Sequence, residues 1–193
     1  MADGRRRTDP AIAGARCWQG AERCSGELFA LTYGALVRQI LRDREDDVDA
    51  TNAALERVGR SMGTRIVEEY LSRTGAGARA CRSFEDACEA VAKTALKMFL
   101  GVDARTRDWS EDVDECVIEM DTNPLAEFVE LPKRYEGLCY CNALCGAIRG
   151  ALEAVRVRTT CAFESDPLAG NGDKFAIRIK LVEIVPEEYP FDD

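Results

Sequence analysis

The segment from Tyr140 to Val155 constrains the fold of this chain more than any other stretch. At helical spacing, one face of it carries large apolar side chains: Leu144, Ile148, Leu152 and Val155. A second face carries only small residues, among them Gly146 and Gly150. A glycine inside a helix costs about 1 kcal/mol relative to alanine. Two of them on one face therefore indicate that another backbone approaches closely. The pattern predicts a buried central helix.

The only clearly charged residues of this helix are Arg149 and Glu153, which stand four positions apart. Side chains at this spacing lie on the same face of a helix. The sequence therefore predicts that they form an ion pair within the helix.

Composition narrows the class of protein. A chain of 193 residues can form one domain with a substantial core. The net charge of −9 argues against nucleic-acid binding, which needs a basic surface. No apolar run reaches the roughly 18 residues of a membrane span. Nine cysteines, an odd number, indicate free thiols in a reducing compartment and therefore a cytosolic protein.

The chain contains no histidine. This excludes Ser-His and Cys-His catalysis and the commonest zinc, iron and haem ligand sets. Cys139, Cys141 and Cys145 are close in sequence, but a tetrahedral metal site needs a fourth ligand at a suitable spacing, and the sequence offers none. We therefore predict no catalytic residue, no metal and no cofactor, and we interpret these thiols as buried helical side chains.

Residues 1–24 are predicted to be a flexible N-terminal tail, ahead of a single domain that spans residues 25–193. The tail has small residues, three consecutive arginines at positions 5–7 and no sustained apolar period. The arginines leave open a contact with anionic lipid, at about 1 kcal/mol per basic residue. A solvated terminus is the more common situation.

Three helices are predicted before the first strand. The first begins after Ser25, a residue suited to the N-cap, and runs to about Arg42. Because apolar residues cover more than half of its circumference, we expect it to be mostly buried. Asp49 is predicted to cap the second helix. In that helix, Gly59 and Gly63 indicate close packing against another helix.

The third helix is predicted from Phe84 to Leu100. Ser83 and Asp86 have the spacing of a capping box at its start, and Gly101 suits the position that follows its end. Its inner face mixes small and large apolar residues, so it could leave room for something beside it. That face comprises Cys88, Val91, Ala92, Ala95, Leu96 and Phe99.

After residue 101 the apolar period changes to two. Residues 102–121 predict one hairpin with a turn at 110–114, and residues 157–163 with 175–181 predict another after the central helix. The order of elements is three helices, a hairpin, a helix and a hairpin. It predicts an α+β domain with a helical layer packed on one face of a small antiparallel sheet.

Cys81 differs from the other cysteines in its surroundings. It follows a Gly-rich stretch, precedes the start of a helix and lies between Arg79 and Arg82. A helix N-terminus and nearby cations both favour the thiolate. Two interpretations stay open from the residues alone, an activated thiol and an ordinary loop cysteine. The stretch is not a phosphate-binding loop, because it lacks the required Lys and Ser or Thr.

Four blocks of sequence resemble subunit 3 of the transport protein particle (TRAPP) tethering complex. They are ELFALTYGALVRQI (Glu27–Ile40), KMFLG (Lys97–Gly101), NPLAEFVELP (Asn123–Pro132) and NALCGAIRGALEAV (Asn142–Val155). The resemblance implies the TRAPP small-subunit fold and a non-enzymatic scaffold. Such a scaffold pairs through its helical faces with other TRAPP small subunits. It implies a cytoplasmic protein, peripheral on cis-Golgi and ER–Golgi membranes. Within the complex it would serve vesicle tethering and guanine-nucleotide exchange on a Rab1/Ypt1-type GTPase.

The resemblance also implies an internal lipid. Family members enclose a narrow apolar channel, in which a palmitoyl chain is joined by a thioester to the cysteine before the third helix. Cys81 stands at that position, and the six inner-face residues of the third helix would line the channel. At about 0.8 kcal/mol per buried CH₂, a sixteen-carbon chain would gain on the order of 10 kcal/mol inside the protein.

The family's C-terminal end takes part in contact with the GTPase. Here residues 181–193 are rich in acidic side chains, which makes Glu187 and Glu188 candidate contacts. The alternative from another functional class is a stand-alone lipid-binding or thiol acyl-transfer protein that uses Cys81. The absence of histidine leaves that alternative without an obvious general base.

Overall fold

The computed structural model describes residues 9–75 and 83–186. The helices are α1 (Pro10–Gly20), α2 (Gly26–Asp43), α3 (Val48–Thr74), α4 (Phe84–Ala90), α5 (Leu96–Leu100) and α6 (Asn142–Ala154). The strands are β1 (Ala104–Arg107), β2 (Glu115–Met120), β3 (Val157–Asp166) and β4 (Asn171–Ile184). A π-helical segment, the π-turn (Val91–Ala95), joins α4 to α5, and short 3-10 turns cover Lys133–Tyr135 and Pro167–Ala169.

The four strands form one antiparallel sheet in the order β1-β2-β4-β3. Both predicted hairpins are present, and β4 pairs with β2 as well as with β3. Ile118 of β2 and Ile177 and Ile179 of β4 are fully buried in a core that they share with the helices. The predicted α+β fold class is confirmed.

The central helix α6 packs backbone to backbone against α3. A methyl group on Gly59 would lie 1.9 Å from the carbonyl oxygen of Ala143, and one on Gly146 would lie 2.1 Å from that of Glu56. The second glycine of each helix approaches the other backbone as closely: Gly63 and Gly150. The close packing that these glycines predict is confirmed.

Ion pairs between helices accompany this contact. Arg149 binds Glu56 at 2.7 Å, and Glu153 binds Arg60 at 2.6 Å. The predicted pair of Arg149 with Glu153 is therefore corrected, because α3 lies close enough to offer each of them an oppositely charged partner. The hydrogen bond from Arg60 lowers the pKa of Glu153.

Tyr33 of α2 anchors the chain just before α6. Its hydroxyl donates to the carbonyl oxygen of Tyr140 at 2.6 Å. Burial raises the pKa of Tyr33, so the hydroxyl stays protonated and can donate. The cap residue of α6, Cys141, makes no side-chain capping bond. A residue 107 positions earlier in the chain thus fixes the backbone just before α6.

The helix α2 is less buried than its sequence predicts. Tyr33 and Val37 face the core, but Leu28 and Leu31 expose 63% and 67% of their surface. Within the described residues, the core covers one side of this helix and leaves the other to solvent. The prediction of a mostly buried helix is wrong. The exposed leucines Leu28, Leu31 and Leu36 form what we name the α2 ridge.

The helix starts are only partly as predicted. Ser25 caps α2, since its hydroxyl accepts from the amide of Leu28 at 3.2 Å. At the start of α3 the cap is Asp47, which accepts from the amide of Ala50 at 2.9 Å, and the predicted cap Asp49 lies inside the first turn. Both aspartates suit a helix start, so the sequence alone did not separate them.

Residues 10–20 form a helix where the sequence predicted a flexible tail. Asp9 caps it by accepting from the amide of Ala11 at 2.9 Å, and Pro10 occupies its first turn. Both are helix-start signals that the sequence carries. The helix packs on the π-turn and α5. The tail prediction is therefore wrong for this segment, and residues 1–8 lie outside the described residues.

Candidate functional site

The third predicted helix is one continuous helical segment that contains the π-turn. Ser83 accepts from the amide of Asp86 at 3.1 Å, and Gly101 ends the segment in the left-handed conformation with φ of +71°. Both predicted ends are confirmed. The π-turn was not predicted, because the apolar spacing of this stretch fits an ordinary helix. Such turns often occur at functional sites.

Four of the six predicted lining residues are buried in the core: Cys88, Val91, Ala92 and Leu96. Ala95 and Phe99 are half-buried, whereas Met98 exposes only 4%. The wider π-turn rotates the residues that follow it relative to a regular helix. After Ala92, the inner face of the helix therefore differs from the face that regular helical spacing predicts. The role of all six as channel lining stays a prediction.

The core thiol of this helix is poorly suited to nucleophilic chemistry. Cys88 lies beside Cys116, and both are fully buried. The interaction with the Cys116 thiol and the burial raise the pKa of Cys88. Because the thiolate is the nucleophile, a thiol kept protonated in this way is inert. A covalently attached chain would need a different cysteine.

Cys81 lies outside the described residues. The described residues on either side of it are Gly75, whose left-handed conformation ends α3, and Ser83, the cap of α4. By sequence, Cys81 precedes that cap by two positions. Its assignment as an acylation site stays a prediction.

A cavity of about 250 Å³ opens beside α5. Its apolar lining includes Trp18, Phe29, Met98, Phe99, Leu100 and Pro124, and its polar lining includes Arg23, Cys24, Glu69 and Arg73. Phe99 is thus a predicted lining residue that does border open space. The last turn of α3 also borders the cavity, which therefore opens near the beginning of the chain segment that leads to Cys81.

A buried polar cluster surrounds the start of α6. Cys141 and Cys145 are fully buried and Cys139 is half-buried. Burial raises the pKa of all three, that of Cys139 to about 12. Asp166, which exposes 3% of its surface, lies near these thiols with one carboxylate oxygen unpaired, and burial raises its pKa. The interpretation as buried thiols is confirmed for Cys141 and Cys145.

Residues 9–75 and 83–186 hold neither a metal-binding cluster nor a membrane-spanning helix. No group of three or more Cys, Asp or Glu side chains there is arranged to hold a metal ion. No helix in the same ranges is both long enough and apolar enough to cross a membrane.

The predicted GTPase contacts Glu187 and Glu188 lie beyond Pro186, the last described residue. The strand that leads to them ends in an apolar surface, because Val182 and Ile184 expose 63% and 54%. The role of the two glutamates stays a prediction.

Known proteins match the chain along most of its length. The sequence profile of a family described as "Transport protein particle (TRAPP) component" matches residues 29–180. The chain belongs to this TRAPP family. Trafficking protein particle complex subunit 3 of Dictyostelium discoideum is 41% identical over 170 residues, which are 88% of this chain and 89% of that protein. Subunit BET3 of the complex in Saccharomyces cerevisiae is 36% identical over 182 residues, which are 93% of each.

A solved structure matches the fold. It is the crystal structure of a trafficking protein particle complex subunit 3 from Naegleria fowleri, covalently bound to palmitic acid. The two chains share 46% identity with a TM-score of 0.79, over 84% of this chain and 98% of that one. The TRAPP small-subunit fold that the resemblance implied is therefore confirmed. The helix α1 lies outside the part that the family profile matches.

Proposed function

We propose that this protein is a core scaffold subunit of the TRAPP vesicle-tethering complex and acts in ER-to-Golgi transport. The observation that carries the proposal is the match to subunit 3 proteins along about nine tenths of the chain. The protein would work in the cytoplasm, peripheral on cis-Golgi and ER–Golgi membranes, without catalysis of its own. Purification of the tagged protein from its own cells tests this. Several small subunits of the same fold should co-purify with it.

The α2 ridge is the surface that we assign to another TRAPP small subunit. Its leucines are exposed in the single chain, and burying one leucine at an interface contributes roughly 1.5–3 kcal/mol. Replacing Leu28 and Leu31 together by Glu should abolish co-purification of at least one small subunit. The matched control is Ile12→Glu, which changes a 56% exposed apolar residue on another helix. If the double variant assembled like wild type, the ridge would not be the pairing face.

The second part of the proposal is a palmitoyl chain on Cys81, held in an apolar channel along the third helix. It is supported by the palmitic acid bound covalently to the Naegleria relative and by the apolar inner face of α4 and α5. Intact-mass measurement should find one acyl group on the purified protein and none on Cys81→Ser. Cys24→Ser, which changes an exposed thiol, should keep the acyl mass. If the wild-type protein carried no acyl group, the proposal of a palmitoyl chain on Cys81 would be wrong, and the proposed scaffold role would be unaffected.

The third part is a contribution to guanine-nucleotide exchange on a Rab1/Ypt1-type GTPase. Carboxylates near the bound nucleotide can compete with its phosphates, and the acidic residues Glu187 and Glu188 follow the exposed apolar end of β4. In assembled complexes, replacing both by Ala should slow exchange. Glu183→Ala changes an exposed acidic residue that is paired with Arg158, and it should leave the rate unchanged. Equal rates for the two variants would rule out the proposed contact.

The alternative is a stand-alone lipid-binding or thiol acyl-transfer protein. It predicts a monomer that carries lipid without other subunits, and an acyl turnover that is lost in Cys81→Ser. The co-purification experiment separates the two functions, because recovery of a complex excludes a stand-alone protein.

A further inference from the structure

The helix α1 covers the outer side of the third helix at the π-turn. A methyl group on Gly14 would lie 2.7 Å from the carbonyl oxygen of Lys93 and 3.0 Å from the Cα atom of Thr94. The hydroxyl of Thr94, which exposes only 2% of its surface, donates to the carbonyl oxygen of Pro10 at 2.8 Å. The first half of α1 therefore rests directly on the backbone of the π-turn.

The second half of α1 reaches the elements on either side. A methyl group on Gly101 would lie 2.6 Å from the ring of Trp18, so the tryptophan lies against the end of α5. The thiol of Cys17 donates to the carbonyl oxygen of Arg73 at 3.9 Å, at the end of α3. The helix thus bridges the end of α3 and the whole second half of the third helix.

The helix α1 would be only marginally stable without its contacts to the rest of the protein. It has 11 residues, and isolated helices of that length are marginal in water. Gly14 lies in its interior, where glycine disfavours a helix relative to alanine. Within α1, all of whose residues are described, Gly14 is the one that is buried. Because α1 depends on its contact with the third helix, it should be released at much lower cost than the domain unfolds.

The inner side of the same π-turn belongs to the closed core. Ala92 and Cys88 are fully buried, and Val91 exposes 9%. Protein interiors are close-packed, so a long acyl chain cannot pass these residues unless the helix that carries them moves. The contact with α1 on the outer side opposes that movement.

We propose that α1 is a strap that holds the π-turn closed and slows the uptake of an acyl chain along the inner face of the third helix. This inference rests on the acyl chain of the proposed function and adds its regulation. Release of α1 removes the contact that opposes the movement of the helix, and it therefore speeds uptake.

The uptake reaction is a thioester exchange with palmitoyl-coenzyme A. The cysteine sulfur attacks the acyl carbonyl, the new C–S bond forms as the bond to coenzyme A breaks, and the thiol proton ends on the sulfur of coenzyme A. Intact mass follows the reaction, because each transfer adds one palmitoyl group to the protein.

The test compares Gly14→Ala with Gly20→Ala in the full chain. Alanine at position 14 favours the helix but collides with the π-turn, whereas position 20 has no atom within 4 Å of the added methyl group. Both variants carry Trp109→Phe, which leaves Trp18 as the single tryptophan. In Gly14→Ala, we expect red-shifted Trp18 emission and faster amide exchange in α1. We also expect acyl uptake to be at least about fivefold faster, which corresponds to a barrier lower by about 1 kcal/mol. Gly20→Ala should match its parent.

Three other outcomes of this experiment would contradict or further test the strap. If α1 is released in Gly14→Ala but uptake proceeds at the rate of Gly20→Ala, the strap is overturned while the acyl site stands. If no variant, including the parent, takes up the chain, the acyl proposal fails and the strap fails with it. If α1 stays in place in Gly14→Ala, Gly14→Leu provides a larger collision. A helix that stays in place even then would overturn the strap.

Discussion

Two helix contacts in this protein are built on glycine, and they differ greatly in extent. Between α3 and α6, glycines on both helices bring the backbones together over two successive turns, with ion pairs alongside. At the π-turn, Gly14 alone brings α1 into backbone contact. The helices differ as well, since α3 has 27 residues and α1 has 11. The same device therefore builds a permanent part of the core in one place and a releasable contact in the other.

The largest effect should come from Gly59→Ala. Its methyl group would overlap the carbonyl oxygen of Ala143 at 1.9 Å, and neither backbone can yield without separating the helices. We expect the free energy of unfolding, measured with urea, to fall by more than about 3 kcal/mol, beyond the usual range for overpacking. Gly26→Ala adds a methyl group where no atom lies within 4 Å, and it should stay within about 0.5 kcal/mol of wild type. A loss below about 1 kcal/mol at position 59 would contradict the backbone contact.

A smaller effect is expected at the ion pairs beside the same contact. Arg149 and Glu56 are partly exposed, so water weakens their attraction. A double-mutant cycle with Arg149→Met and Glu56→Gln should give a coupling energy of about 0.5–1 kcal/mol. A cycle of Arg149 with Glu153 should give a smaller coupling energy, because each of these residues is bound to a residue of α3 instead. A larger coupling energy for Arg149 with Glu153 than for Arg149 with Glu56 would support the ion pair within α6 that the sequence predicted.

The pH dependence of unfolding should show opposite signs for two carboxyl groups near α6. Burial raises the pKa of Asp166 above its ordinary value of 3.8, so the folded state favours its protonated form and stability falls as pH rises above that value. The pKa of Glu153 is lowered by Arg60, so its contribution is present at neutral pH and is lost on acidification below 4.5. In Asp166→Asn, the free energy of unfolding should no longer fall for this reason as the pH rises. Asp173→Asn, at an exposed position, is the control and should keep the fall. Parallel urea profiles from pH 4 to 8 for wild type and Asp166→Asn would contradict the assignment.

The smallest effect on global stability should come from Gly14→Ala. Because α1 is released before the rest of the domain unfolds, its loss should change the global free energy of unfolding by less than about 1 kcal/mol. Circular dichroism during urea unfolding measures this, with Gly20→Ala as the matched variant. A loss as large as that of Gly59→Ala would show that α1 belongs to the core, and the contrast between the two contacts would disappear.

Much of the fold follows from local pattern. The alternation in β2 and β4, the apolar stripe of α6 and the caps Ser25 and Ser83 each depend on residues a few positions apart, and all are where the sequence predicted them. The candidate site was predicted less completely. The span of the third helix was correct, but the π-turn altered which residues face inward after Ala92.

The missed features depend on partners that are distant in sequence. Tyr33 binds the backbone just before α6 across 107 positions, and nothing in the sequence near either residue indicates that contact. Asp9 followed by Pro10 did indicate a helix start, but the small residues that come next have no apolar stripe. No local pattern indicates that this segment rests on the π-turn.

By itself, the sequence determined the family, the order of helices and strands and the need for a close helix contact at Gly146 and Gly150. These properties are carried by periodicity, by turn residues and by the conformational cost of glycine, all of which act over short stretches of chain. Only the tertiary structure decided which side of α2 stays exposed, which partners Arg149 and Glu153 take and that α1 covers the π-turn. Burial and pairing depend on which surfaces meet after folding, and a local pattern does not specify that meeting.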